Sequence, residues 1–422
     1  MKNPMRRYRW LIFGILAIAY FFVYFHRLSL SVVADDLLTD FQTSAGVIGL
    51  LGSMYFYCYA AMQMPAGLLA DSIGPRKTVT LFLVIASAGS ICFGMAPNIE
   101  SAFIARVLVG FGVSMVFIPT MKILAQWFKK AEFAQMAGIL NAVGGAGVLG
   151  ATWALALMTS HIGWRASFEI IGLTTLVIAI LAWIIVRDRP EDMGWALADG
   201  GGPDSANQPP QVPIFQGLKR VLSEKHFWPV ALWFFFDCGV FFGFGALWGG
   251  PYLMHVYGYT RETAGVILSM IAWGMIIGSP LIGLLSDRIL KSRKKPFVLC
   301  AAILCGLLLY LFLYPAGQSR LFLFFFFFVF SVCASAIVII GFTTTKELFP
   351  VSMAGTSVGC VNLFPFLGGA VFMPLLGRVL DRFPGAVEGT YAVKGFRVMI
   401  LVLLISAGAA LICSLFMKET YE

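Results

Sequence analysis

Long apolar runs alternate with short polar breaks along the whole chain, and that alternation sets the solvent before any single residue is considered. A run of 18 or more apolar residues is the length of a bilayer crossing. Such runs fall near 9–33, 46–70, 78–96, 102–126, 134–158 and 166–186, then near 227–252, 264–286, 296–314, 320–342, 355–378 and 396–416. Twelve helices of about 20 residues need roughly 240 apolar positions, and a chain of 422 residues that is 59% hydrophobic supplies about that many. A soluble chain places about half its residues in that class. A single aqueous core is excluded, and little is left for a separate soluble domain.

Between the sixth and seventh runs, residues 187–226 turn to Asp, Gly, Pro and Gln, with Gly200, Gly201, Gly202, Pro203, Pro209 and Pro210 arguing against an ordered core. We therefore expect a first bundle over 1–190, a linker over 191–226 and a second bundle over 227–422. Residues 215–226 carry Lys219, Arg220 and Lys225 and suit a short amphipathic helix on the membrane surface. Lys2, Arg6 and Arg7 imitate a signal peptide, but the apolar stretch 10–25 outruns a signal core and continues into Arg27 without a cleavage site. It is expected to be a retained first span. With both ends in the cytoplasm, cytoplasmic segments collect twenty of the 30 basic residues, as the positive-inside rule requires. The net charge of +9 then reports orientation, and a nucleic-acid partner is not expected. The 8 cysteines form no C-x-x-C pair and read as small apolar residues.

The two halves read as copies. GLLADSIGPRK at 67–77 reappears as GLLSDRILKSRKK at 283–295, with Gly67 and Gly283, and Asp71 and Asp287, each 216 residues apart. Gly138 and Asn141 recur as Gly359 and Asn362, each 221 residues apart. Repeated bundles with a site between them are how secondary transporters achieve alternating access.

Over its full length the chain resembles the major facilitator superfamily. Gly67, Asp71, Gly74, Arg76 and Lys77 match the family's signature at the cytoplasmic end of the second helix, and Asp287 and Arg288 belong to the second copy, where Leu290 replaces the second glycine. The resemblance implies an all-α polytopic membrane protein of twelve transmembrane helices in two pseudo-symmetric six-helix bundles, both termini cytoplasmic. It also implies a carrier without cofactor or metal, working as a monomer in a bacterial inner membrane, with a small molecule and protons as its partners. The signature residues would gate, with Asp71 meeting a helix N-terminus or Arg76. They could also be only a tight turn with orientation charges. Arg106, Gly110 and Gly112 resemble the fourth-helix signature. An arginine inside the bilayer costs about 2.5–3.5 kcal/mol on insertion scales, so Arg106 has either a structural or coupling role or a place near the outer headgroups.

In the first span, Tyr20, Tyr24, Arg27 and Ser31 recur at spacings of four, three and four, which places them on one helical face. The segment 23–32 and the segment 118–141, with Pro119, Lys122, Trp127 and Phe128, resemble the anion:cation symporter and organophosphate branches, in which an arginine here binds the substrate's carboxylate or phosphate. Two departures stand out. His26 occupies a place where many symporters have aspartate, and the seventh span has no basic residue to complete a two-arginine phosphate clamp, which favours a singly charged carboxylate. Arg27 could instead reach the headgroups or pair with Asp35 or Asp36.

Of 21 acidic residues, only Asp237 lies deep in a span. A carboxylate there is expensive unless protonated or paired, so Asp237 is a candidate proton carrier, counter-charge or structural partner. His26 is the other coupling candidate. Tyr55, Tyr59 and Gln63, four residues apart, could line the same cavity or hold helices together, as could Asn141 and Asn362. Lys122 could contact the anion or snorkel toward Trp127's end of the helix. Gly355, Ser357 and Gly359 satisfy G-x-S-x-G, and Gly145, Gly147 and Gly150 satisfy G-x-G-x-x-G. Neither follows a strand, and both read as helix-packing glycines. The expected function is proton-coupled transport of a small organic anion. A carrier of amino acids or peptides, an exporter and a transporter-like ligand sensor are the alternatives.

Overall fold

The computed structural model describes residues 4–195, 214–350, 353–386 and 389–421. The glycine- and proline-rich stretch at 200–210 lies outside the described residues, as do the Asp71 side chain and the surroundings of Gly67. Apart from one isolated bridge between Pro384 and Tyr391, the described residues fold into helices and their connections. Eleven helical stretches are long and apolar enough to cross a membrane. The N-terminal set is α1 (Arg7–Val32), α2 (Ala45–Ser72), α3 (Pro75–Gly94), α4 (Ile99–Trp127) and α5 (Gln135–Ile185). The C-terminal set is α6 (Phe227–Tyr257), α7 (Arg261–Leu290), α8 (Lys294–Leu313), α9 (Arg320–Glu347), α10 (Gly355–Leu380) and α11 (Val393–Phe416).

Helix α5 is 51 residues long. At 1.5 Å per residue it would run about 76 Å, more than twice a bilayer core of about 30 Å. Gly163, at φ 76° and ψ 163°, breaks it between the two spans expected from sequence. The left-handed half of the map is open to glycine, which lacks a Cβ. Polar residues start several other helices. The Ser44 and Ser319 hydroxyls accept from the amides of Val47 and Phe322 at 3.4 and 3.2 Å, and the Asn98 side chain accepts from Ser101 at 2.9 Å. Each satisfies a donor that the first helical turn leaves orphaned.

Lipid offers no hydrophobic drive for helix association, so close packing and hydrogen bonds must hold the sets together. At the face opposite the termini they meet tightly. A Cβ at Gly49 would collide with the Met373 carbonyl, and one at Gly377 with the Ala45 carbonyl. Asp381, after α10, accepts from the Ala45 and Gly46 amides at 2.7 and 2.8 Å and so caps α2. Asp36 pairs with Arg261 at 2.5 Å and Asp35 with His255 at 2.9 Å. At the termini face, the ion pairs among the described residues stay within one set: Arg9 with Glu132 at 2.8 Å, and Arg293 with Asp287 and Glu347.

The short helix Ile214–Ser223 carries basic residues toward solvent, buries Val221 and sets Gly217 against Thr356 near the start of α10. All eight cysteines are unbridged, although Cys92 is exposed and not part of the interior.

Candidate functional site

Arg27 is the centre of the arrangement. It sits near the end of the α-helical part of α1, is only 7% exposed, and its guanidinium carbon lies over four rings. These are Tyr24 at 4.5 Å, Tyr59 at 5.0 Å, Phe366 at 5.2 Å and Phe242 at 5.9 Å. Two come from the N-terminal set and two from the C-terminal set. Ring faces attract a cation by about 2 kcal/mol or more each when water is excluded, so the cage can hold a buried guanidinium without a carboxylate. The carboxylates that sequence offered as partners are engaged elsewhere, Asp35 by His255 and Asp36 by Arg261. Nε of Arg27 has no hydrogen-bond partner among the described residues.

The other candidates in the first two helices gather around this cage. Tyr20 packs edge-on to Tyr24 at 5.3 Å, and Tyr55 donates to the Val23 carbonyl at 3.1 Å while its ring stacks with Tyr59 at 5.8 Å. Gln63 donates to the Tyr59 carbonyl at 3.4 Å and accepts from the Asn362 amide at 2.8 Å, an amide pair that joins α2 to α10. Ser31 departs from expectation. The helix tightens to a 3-10 turn over Ser29–Val32, which takes Ser31 off the Arg27 face, and its hydroxyl donates to the Leu28 carbonyl at 2.8 Å. Asn141 is half-buried on α5. Lys122 lines a cavity of about 560 Å³ at the termini face with Gly74, Gln126, Asp188, Arg189 and Asp192.

His26, next to Arg27, is fully buried beside the rings of Phe22 and Phe25, and neither ring nitrogen has a partner among the described residues. Its carbonyl accepts from both terminal nitrogens of Arg106 at 3.5 and 3.4 Å. Arg106 is 1% exposed and lies over Tyr55 at 5.6 Å and Phe93 at 5.7 Å. It lies in the protein interior, against the end of the α-helical part of α1.

Asp237 on α6 is fully buried, and neither carboxyl oxygen has a partner among the described residues. The thiols of Cys238, Cys300, Cys305 and Cys333 are near enough to interact with it electrostatically. One turn earlier, Trp233 packs on Phe297 at 4.6 Å with its indole nitrogen also unpartnered.

At the termini face, Gly74 turns at φ 92° into α3. The Arg76 amide donates to Asp188 at 2.6 Å, while its guanidinium donates to the Trp183 carbonyl and stacks on that indole at 4.4 Å. The described partners of Arg76 therefore come from the end of α5 and the residues after it. Lys77 is exposed. In the second copy, Asp287 pairs with Arg293 and Arg288 is exposed.

Phe242 and Phe366 escaped the sequence reading. Both are among 39 phenylalanines in apolar runs. The one available signal was local: Phe242 sits in a glycine-rich stretch, Phe241–Trp248, that widens into a π-helix, a distortion common at functional sites.

Comparison with known proteins places this geometry in context. The family model described as Major Facilitator Superfamily matches residues 16–373 and 235–421. A probable sulfoacetate transporter of Cupriavidus necator is 22% identical over 416 residues, covering 94% of this chain and 92% of that protein. The membrane sensor protein UhpC of Escherichia coli is 26% identical over 378 residues, covering 86% of this chain and 84% of the sensor. The crystal structure of a bacterial homolog of the human lysosomal transporter Spinster superposes with a TM-score of 0.78 at 20% identity, covering 98% of both chains.

Proposed function

The chain belongs to the major facilitator superfamily, and from that premise we propose that it is a secondary carrier of a small organic anion, with Arg27 as the anion-binding residue. Membership makes it a multi-pass membrane transporter and not an enzyme. Read with the break at Gly163, α5 crosses twice, and the chain crosses twelve times in two bundles, 1–190 and 227–422. The basic segments at the termini face support cytoplasmic ends in a bacterial inner membrane. In that orientation the zipper of Asp36, Arg261 and Asp381 closes the outer face, while the rings of both sets cover Arg27.

The observation that carries the reading is the buried guanidinium of Arg27, ringed by side chains of both helix sets and without an acidic partner. A cation at the seam between two bundles meets its ligand from either side as they rock. Tyr20, Tyr24, Tyr55, Tyr59, Gln63 and Asn362 complete the site, and Lys122 and Asn141 are further candidates for contact with the anion. A single guanidinium neutralises a carboxylate monoanion, whereas a phosphate dianion would keep one charge without a partner. Asp237 is the acid a coupled proton would use, with His26 and Arg106 as the polar groups behind the cage. Gly67, Asp71, Gly74, Arg76 and Lys77, with Asp287 and Arg288, would control the inner gate.

Reconstitution into proteoliposomes with a pH gradient tests this. Arg27-dependent accumulation of at least one organic anion is expected, and uptake of neutral or cationic solutes alone would refute it. A second reading is favoured by the 26% identity to a membrane sensor: a ligand sensor would bind an anion through Arg27 without accumulating it.

A further inference from the structure

Two lysine or arginine side chains are more than nine-tenths buried among the described residues, Arg27 and Arg106. Arg106 directs both terminal nitrogens to the His26 carbonyl. Arg27 remains for a ligand, its guanidinium hydrogen-bonded here only to the uncharged hydroxyls of Tyr55 and Tyr59 among the described residues. In the C-terminal set the lysines and arginines stand at helix ends and connections, and what that set contributes to the cage is Phe242 and Phe366. A second negative charge on the ligand would thus be buried against ring faces, without an opposite charge to offset its lost hydration.

The rings are arranged across the seam. Tyr59 meets Phe366 at 4.3 Å and 33°, Phe56 meets Phe242 at 4.7 Å, and Phe242 and Phe366 are nearly parallel at 16°. The first two of these pairs join the N-terminal to the C-terminal helices. When the bundles part, those stacks separate and expose aromatic faces beside the guanidinium. A polyol body would set hydroxyl groups against the faces, where the nearest amides, Gln63 and Asn362, already bond each other. A flat aromatic body restores the lost stacking, and a carboxylate in the plane of such a ring meets the guanidinium fork edge-on.

We infer that the ligand is an aromatic monoanion, with Arg27 holding its carboxylate and Tyr59, Phe242 and Phe366 selecting its ring. This rests on the reading of Arg27 as the anion site and names the class of anion. It departs from the sulfoacetate named for one relative, whose sulfonate and carboxylate carry two charges.

The test is calorimetry on the purified full-length protein with four probes: benzoate, cyclohexanecarboxylate, phthalate and glycerol 3-phosphate. Benzoate is expected to bind about fivefold to tenfold tighter than cyclohexanecarboxylate, the size of one good ring stack, and tighter than either dianion. Phe366→Leu should remove most of the benzoate advantage while cyclohexanecarboxylate changes by less than about twofold. Phe366→Tyr, which keeps the ring, should preserve the advantage and guards against a variant that merely misfolds. Equal affinity for benzoate and cyclohexanecarboxylate, or tighter Arg27-dependent binding of a dianion, overturns the aromatic monoanion and leaves the anion site standing. Binding of these anions that is unchanged in Arg27→Ala, or no anion binding at all, overturns both.

Discussion

Arg27 and Asp237 are both fully or nearly buried, and neither has an opposite charge against it, yet their surroundings differ in kind. Arg27 is enclosed by rings from both helix sets, so its environment changes whenever the sets move against each other. The thiols that interact with Asp237, those of Cys238, Cys300, Cys305 and Cys333, belong to the C-terminal set and would travel with it. A charge at the seam can be uncovered by rocking. A charge inside one bundle can change its interactions only by gaining or losing a proton. On the proposed reading, the first suits ligand capture and the second protonation, and that division can be attacked from either end.

The largest effect is expected at the seam. Arg27→Lys keeps the charge but loses the planar fork. A charge-assisted hydrogen bond is worth roughly 1.5–3 kcal/mol, so binding of the transported anion should weaken about 10-fold to 100-fold. Arg27→Ala, which also removes the charge, should weaken it by more than about 100-fold. Wild-type affinity in both variants, once they are folded and inserted, would make Arg27 a structural cation of the aromatic cage.

Asp237→Asn comes next. Asparagine has nearly the shape of a protonated aspartate but cannot release a proton. Accumulation driven by a pH gradient should fall to simple equilibration while exchange of anion across the membrane persists. If gradient-driven uptake survives intact, the proton is carried elsewhere, and His26 becomes the group to mutate.

Why sequence disclosed one of these environments better than the other follows from their geometry. The 3.6-residue period sets Tyr20, Tyr24 and Arg27 along one face, and composition alone isolates Asp237 as the acid within a span. The Arg27 cage is completed by Phe242 and Phe366, more than 200 positions away in sequence, and no period distinguishes a ring that meets a guanidinium from one that meets lipid. Ser31 was misplaced for a local reason: period counting assumes a continuous α-helix, and the chain tightens at Ser29. The crossings were legible because bilayer thickness imposes a length. The zipper opposite the termini was not, because pairs such as Asp36 with Arg261 depend on which loops face each other across the seam.

That zipper offers a smaller effect which separates movement from capture. Asp381 accepts two backbone amides at the start of α2, where the helix dipole adds to the attraction. Asp381→Asn keeps one acceptor and loses the charge, which should shift the conformational equilibrium toward opening of that face by about 1–2 kcal/mol. Spin-label distances across the face should lengthen in population while intrinsic affinity at Arg27 holds. Asp71→Asn, at the other end of α2, should likewise reduce transport rate more than affinity. Weakened binding at unchanged turnover in either variant would tie that gate residue to the ligand site and erase the distinction.

The smallest effect is expected where the two sets are least coupled, at the termini face. Arg9 pairs with Glu132 at 2.8 Å, with the glutamate side chain 35% exposed. The hydrogen bond from Arg9 holds the Glu132 carboxyl below its usual pKa. A carboxyl depressed in the folded state stabilises above its unfolded pKa, and that contribution is lost as pH falls through the folded value. Water and salt screen so exposed a pair, and such pairs contribute roughly 0.2–1 kcal/mol. Glu132→Gln should therefore lower thermal stability slightly at neutral pH and make no difference in acid, with anion affinity unchanged. The pair lies within the N-terminal set, so rocking neither makes nor breaks it. A change in transport rate beyond about twofold in Glu132→Gln would show that this pair senses the position of the other bundle. The termini face would then be coupled to the seam after all.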